Sequence, residues 1–407
     1  MTHDSYASLR LPGFRWFIAS LLTQTLAIQL QGVVVGWQVY QLTRDPLALG
    51  LVGLAEAIPF IGFALPAGQL ADRADRRRIC LAALSVLLIC AASLLALTTR
   101  GVTAGRVGAI YAIIFASGIA RSFLQPTRTA LAADLVPRET YVNSITWRSS
   151  TWQFAAVAGP AVGGLLYAIG GAALAYAVDT GLLAIGALCL WAVRHRPPAP
   201  AAPAPPPLHG LLEGVRFVRR QPLLLGALTL DLFAVLFGGA EALLPVFAGE
   251  ILRVGPTGLG ILRAAPAVGA VVMSVYLSHR PVITRAGRRL FLSVAGFGVC
   301  MIGFGLSQTF ALSLALLLLG GMLDNVSVVL RSTLLQTQTP SYLLGRVAAV
   351  NSIFIGSSNE IGAFESGVAA RIFGTVPSVV LGGCITLVVV GAVALWVPEL
   401  RRLEQIG

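Results

Sequence analysis

Long apolar runs separated by short polar segments make up most of the chain. They lie at 16–41, 47–70, 79–98, 107–128, 144–169, 172–193, 223–247, 257–278, 290–308, 311–332, 346–372 and 376–397. A helix needs about 20 apolar residues to cross a bilayer, so each run is predicted to be one span. Backbone polar groups in lipid find no outside partner, which makes the spans helices. A β-barrel is excluded because its strands would be alternating segments of about 10 residues. The first fifteen residues are polar, and the run from Trp16 is too long for a cleavable signal. It is predicted to be retained as span one.

Composition sharpens this reading. Of 407 residues, 56% are hydrophobic and 11% charged, and mean hydropathy is +0.82. Soluble proteins carry about 25% charged residues, so too few charges are present to cover a water-exposed surface of this size. The lipid bilayer is the implied partner. The net charge is +12, and all of the basic residues are arginine. Nucleic-acid binding would gather that charge on one soluble face, whereas here it sits in the short loops. With the N-terminus inside, nineteen arginines fall in cytoplasmic segments and four (Arg44, Arg100, Arg106, Arg253) in outer loops. This asymmetry predicts a bacterial inner-membrane protein with both termini cytoplasmic.

The five cysteines lie in or at the ends of apolar runs and read as small buried apolar residues. Neither they nor the four histidines have metal-ligand spacing. No metal, cofactor or hydrolytic constellation is predicted, so the chain is not read as an enzyme. No G-x-x-x-x-G-K-[ST] segment is present, which argues against ATP coupling.

Between the sixth and seventh runs lies Pro197 to Leu208, rich in Pro and Ala and predicted to be an extended linker. The expected division is an N-terminal six-helix half at 1–194, a cytoplasmic linker at 195–222 and a C-terminal half at 223–407. The halves repeat. Leu42 to Leu51 matches Leu252 to Ile261, Arg128 to Pro137 matches Arg331 to Pro340, and Asn143-Ser-Ile matches Asn351-Ser-Ile. The last register pairs Gly159 with Gly367. Two six-helix repeats holding substrate between them near the midplane are what alternating access requires.

Three segments carry a family resemblance. The loop Gly68-Gln-Leu-Ala-Asp72-Arg73-Ala-Asp75-Arg76-Arg77-Arg78 resembles the signature loop of the major facilitator superfamily, with Asp75 where the family often has Gly. In that family the loop latches the cytoplasmic side of the outward-open state. The resemblance therefore assigns Gly68, Asp72, Arg73, Arg76 and Arg77 to a conformational latch, with Gly68 allowing close helix packing. Span five carries Gly159-Pro160-Ala-Val-Gly163-Gly164, similar to the family's antiporter motif, with Ala155 in place of its first Gly. That motif is associated with export. Span four carries Arg121-Ser-Phe-Leu-Gln125, similar to a motif linked to proton transfer but spaced differently by one residue. Within the superfamily, the chain resembles the branch containing the bacterial enterobactin exporter. The supporting segments are Pro46 to Gly53, Leu335 to Pro340 and Gly345 to Ser352.

Ionisable groups at membrane depth cost about 2.5–3.5 kcal/mol each on insertion scales and mark functional positions. Glu56, Arg121, Asp231, Glu241, Arg263, Asp324, Glu360 and Glu365 stand at such depth in the sequence. Glu56, Asp231, Glu241, Arg263, Asp324, Asn359 and Glu360 are predicted to line the substrate cavity. Glu360 is the leading candidate for proton coupling, with Glu365, Asp231, Glu56 and Arg121 behind it. The reading is an all-α membrane protein of twelve helices in two pseudo-symmetric bundles, monomeric. Its expected role is that of a proton-driven exporter of a siderophore-like or amphiphilic drug-like molecule. An uptake symporter on the same fold is one alternative, and a non-transporting membrane sensor or assembly subunit another. The partners implied are a small-molecule substrate, protons and lipid, and no nucleic acid.

Overall fold

The computed structural model describes residues 4, 6–101, 103–194, 207–238, 240–279, 285–340 and 343–404, with backbone only at 65, 72, 73, 104 and 207–211. Ten helices among these are long and apolar enough to cross a membrane. One of them, Arg138–Ala192, holds two spans. Tyr141–Ala192 is broken at Gly170 (φ −135°, ψ 18°) and Gly171 (φ 65°, ψ −169°), so span five ends and span six begins at the predicted place. Leu344–Phe373 is a further 30-residue helix whose Arg346, Glu360, Glu365 and Arg371 lower its hydropathy. The chain therefore has twelve transmembrane helices in two six-helix sets.

The remaining spans are Pro12–Thr43, Pro46–Arg73, Arg76–Thr99, Val107–Asp134, Pro222–Gly238, Gly255–His279, Ala286–Leu306, Phe310–Gln338 and Thr375–Trp396. Span seven departs from the continuous run predicted at 223–247. Its helix stops at Gly238, a 3-10 turn occupies Glu241–Leu243, and Phe247–Ile251 forms a π-type turn. Apolar composition continues through the break, so hydropathy gave no sign of it.

By contact the chain forms two compact units, Met1–Leu42 with Ile58–Ala204, and Thr43–Ala57 with Pro205–Gly407. The first is cored by Phe14, Phe17 and Leu21 of span one against Leu84 and Leu87 of span three, Leu124 and Leu131 of span four, and Leu183 and Leu190 of span six. The second is cored by Leu224 and Leu228 of span seven against Leu290, Phe291 and Val294 of span nine, Leu330 and Leu334 of span ten, and Val393 of span twelve. Large apolar side chains also cover the outside: Leu188 is 66% exposed, Val388 70% and Leu395 76%. In water each would forfeit about 1.5–3 kcal/mol of burial, but against lipid tails nothing is lost. Cys384 belongs to this lipid-facing set and is exposed, unlike buried Cys80, Cys90 and Cys300. That corrects the reading of all five cysteines as buried.

The repeat is visible in the backbone. Arg44 (φ 50°) and Arg253 (φ 54°) both adopt left-handed geometry, in the turns that follow spans one and seven. The linker reading needs correction at its C-terminal end. Pro207–Arg220 is a helix, and Pro197 to Pro206 lie outside the described residues. Pro207 fits the first helical position, and Leu211, Leu212, Val215 and Val218 recur at helical spacing. The helix packs on span eleven. A Cβ at Gly214 would stand 2.9 Å from the Arg346 carbonyl, and Glu213 pairs with Arg346.

Candidate functional site

The loop after span two is organised by its own charges. Asp75, standing where the family often has Gly, is the N-cap of span three and accepts from the Arg77 and Arg78 amides at 3.0 and 3.3 Å. Its carboxylate satisfies helix-end donors that a glycine could not. Arg76 Nη1 meets both Asp134 oxygens, at 2.6 and 2.7 Å, tying span three to the end of span four. Arg77 donates to the Leu190 and Trp191 carbonyls at the end of span six. Asp72 and Arg73 fall on the last turn of span two, with their side chains outside the described residues. Among the described residues a Cβ at Gly68 would meet nothing within 4 Å.

The span-five motif does pack closely. A Cβ at Gly159 would stand 2.6 Å from Gln29 Cβ and 3.2 Å from the Leu26 carbonyl, and one at Gly163 would stand 3.0 Å from the Leu30 carbonyl. Ala155, Pro160 and Gly164 are buried with them. Small residues here bring span five onto the backbone of span one. At the start of span five, Trp147 packs on Tyr6 with ring centroids 5.9 Å apart, whereas Trp152 is exposed.

Within the second unit, the first part of span two lies along span eleven. Asp45 pairs with Arg371. A Cβ at Gly367 would stand 2.7 Å from Gly50 Cα, and one at Gly53 would stand 2.6 Å from Ala363 Cβ and 3.1 Å from the Glu360 carbonyl. The helices run antiparallel, so three residues forward from Gly53 correspond to three back from Ala363. That register sets Glu56 level with Glu360. Glu360, Ala363, Phe364 and Gly367 share this face of span eleven, while Gly362 faces span seven, where an added Cβ would stand 2.9 Å from the Leu236 carbonyl. Glu365 is half-buried and off the seam, and Asn359 is exposed.

Asp231 is buried on span seven and paired with Arg331 of span ten. Arg331 was legible in the sequence only as a repeat marker. Asp324 is half-buried and within electrostatic reach of Glu241, which is exposed at the break in span seven. Arg263 is half-buried on span eight. In the first unit, Arg121 is half-buried on span four. Asp179 of span six is not among the membrane-depth charges named from the sequence. It is fully buried, with Gln31 Nε2 donating to one oxygen at 3.2 Å and its other oxygen unpartnered. Arg128 and Arg148 were missed as membrane-depth charges as well. Among the described residues no group of His, Cys, Asp and Glu is placed to hold a metal.

Comparisons with known proteins place this geometry. The chain is 30% identical to the enterobactin exporter EntS of Shigella flexneri over 97% of this chain and 94% of that one. It is 29% identical, over the same shares, to the EntS of Escherichia coli O1:K1. Among solved structures it is similar to the POT family transporter PepTSo, with TM-score 0.74, 13% identity, and 96% and 98% of the two chains covered. It is also similar to a bacterial homologue of the iron transporter ferroportin, with TM-score 0.69, 17% identity and 97% and 99% covered. The family model described as transmembrane secretion effector matches residues 3–406. The chain is thus a major facilitator transporter and belongs to the transmembrane secretion effector family.

Proposed function

We propose that this transporter is a proton-driven exporter of a siderophore-like or amphiphilic small molecule. In this reading it works as a monomer in the bacterial inner membrane, with both termini cytoplasmic. The relatives named as enterobactin exporters support the direction and substrate class, as does the close-packed span-five motif. The observation that carries the coupling is the register that sets Glu56 level with Glu360 at one end of the span two–span eleven seam. Both residues are half-buried, and two carboxylates set level across a seam repel each other when both are charged, so in this reading the pair is where the proton is carried. With that proton in place the seam closes along Gly53, Gly50 and the Asp45–Arg371 pair. Loss of the proton to the cytoplasm leaves two like charges, which favour parting of the seam and opening to the outside. A proton taken up there resets the cycle, in exchange for substrate.

The test uses the full chain in proteoliposomes with an imposed pH gradient and enterobactin as the probe. Glu360→Gln imitates the protonated form at nearly constant volume. It is expected to abolish uphill movement while leaving gradient-independent counterflow. Uphill export with an unchanged pH profile in this variant would remove Glu360 from the coupling. Movement of the probe with the proton flux, rather than against it, would establish uptake in place of export.

A further inference from the structure

Spans one and six meet along a series of polar side chains, at the end of the bundle where the two-glycine turn lies. Asp179 of span six is fully buried, and Gln31 Nε2 donates to its Oδ2 at 3.2 Å. Its Oδ1 has no hydrogen-bond partner among the described residues. One helical turn before it, the buried Tyr176 hydroxyl donates to Gln38 Oε1 at 2.7 Å. Gln38 Nε2 in turn donates to Thr98 Oγ1, at the end of span three, at 3.1 Å. Nearer the end of span one, the Tyr167 hydroxyl of span five donates to exposed Gln41 at 2.6 Å. Gln31 and Gln38 are two turns apart on one face of span one. Polar groups thus step inward from the surface to the carboxyl, which stands eight residues past Gly171, about 12 Å at 1.5 Å per residue.

The helices around this carboxyl are apolar apart from the ladder. Span one has no Asp, Glu or Arg between Trp16 and Thr43, span three none between Ile79 and Thr99, and span six no other between Ala172 and Val193. The titratable groups in this half of the packed elements are Tyr40 of span one, Cys90 of span three, Tyr167 of span five and Tyr176, none of them cationic. A carboxylate sealed in a protein interior costs several kcal/mol unless it is paired, and its neutral form far less. Gln31 occupies Oδ2, so Oδ1 is the oxygen left to carry a proton. Span twelve, the repeat counterpart of span six, has no acidic residue between Thr375 and Trp396. The shared fold therefore does not require an acid at this place.

We propose that Asp179 is a proton-binding residue of the transport cycle, loaded from the outer side along the ladder of Gln41, Gln38 and Gln31. The inference rests on the proton-driven export reading, orientation included. It adds to that reading a proton site in the N-terminal half, separate from Glu56 and Glu360. In loading, a hydronium ion at the Gln41 end gives up its proton, an O–H bond forms at Oδ1 of the carboxylate, and water is left behind. Release is the reverse step. Hydroxyl and amide groups placed at intervals give a proton-bearing water hydrogen-bond partners along the way.

The experiment follows the carboxyl C=O stretch by infrared difference spectroscopy. The full-length protein, in phosphatidylcholine vesicles, is stepped from alkaline to acidic pH in ordinary and in heavy water. Wild type is expected to gain a protonated-carboxyl band as the pH falls. Asp179→Asn is expected to lose that band, and Glu360→Gln to keep it. Asp179→Glu retains a proton-binding group and is expected to shift the band in frequency, so the assignment can be made even where Asp179→Asn folds poorly. Gln38→Leu interrupts the ladder away from the carboxyl and is expected to slow exchange of the band's proton for deuterium. A band left unmoved by Asp179→Asn and Asp179→Glu overturns the site, as does a band that no pH step changes. A wild-type exchange rate in Gln38→Leu overturns loading along the ladder. In the gradient assay with enterobactin, Asp179→Asn is expected to lose uphill movement, and wild-type uphill movement in it overturns the role in the cycle. A titrating Asp179 band in a wild type that moves no probe under the gradient would sink the export reading and leave the proton site standing, so the two failures are distinct.

Discussion

The two halves descend from one repeat and dispose of buried charge in opposite ways. In the C-terminal half the repeat arginine, Arg331, is neutralised inside the protein by Asp231, and the other ionisable groups are mostly acids: Glu241, Asp324, Glu360 and Glu365. In the N-terminal half the matching Arg128 faces no such acid on span one, which carries none between Pro12 and Thr43. Span five is apolar at Trp152 and Val157, the repeat counterparts of Glu360 and Glu365. A shared fold therefore fixes where a charge can stand but not what balances it. In one half an acid on the first span stands against the repeat arginine, and in the other that span carries none.

The largest expected effect tests that contrast on stability. Asp231→Asn strands Arg331 and is expected to cost about 3–5 kcal/mol, read as a large drop in thermal unfolding temperature in detergent. Replacing both partners, Asp231→Leu with Arg331→Met, should recover most of it. Span one offers Arg128 no acid, so Arg128→Met is expected to cost much less stability than Asp231→Asn. A loss as large as that of Asp231→Asn would mean that Arg128 has an internal counter-charge and that the halves are alike.

A second comparison uses Gly159 and Gly367, which share a repeat position. Gly159→Ala drives a methyl into Gln29 of span one and is expected to destabilise by about 1–3 kcal/mol, seen as a lower unfolding temperature. Gly367→Ala meets the backbone of Gly50 in the seam. Its expected result is a parted seam, with a cysteine at Leu49 becoming reactive to an impermeant thiol reagent. Unchanged reactivity together with a lowered unfolding temperature would make the seam ordinary packing. The smallest effect is expected from Arg371→Ala. The Asp45–Arg371 pair is substantially exposed, so its loss is worth about 1 kcal/mol or less. The same thiol assay should shift by no more than about fivefold, and a larger change would mean that this pair alone holds the seam.

The architecture was legible in the sequence because lipid imposes length and apolarity on each span, and Gly170-Gly171 even marked the boundary between spans five and six. Asp75 could be recognised as a departure from the family loop, but its capping role needed the geometry of span three. The break after Gly238 was hidden because its flanks stay apolar. Pairing was the least legible property. Asp231 stood out as a lone carboxylate, yet its partner lies on span ten, 100 residues further along the chain. Arg128 and Arg331 looked equivalent because the repeat preserves the arginine, while the acid belongs to one half only. The Glu56–Glu360 alignment follows from a contact between Gly53 and Ala363 that periodicity does not reveal.

The two-glycine turn between spans five and six bears on how the chain is made. Gly171 occupies a backbone region open essentially to glycine alone, so the reversal is completed within two residues. No hydrophilic segment has to be carried across the bilayer during synthesis. The two spans can enter as a preformed helical hairpin from one side, with their backbone groups already satisfied within each arm. A bulkier residue at 171 would then act first on membrane insertion in the cell, lowering yield before any defect in the finished transporter could be measured.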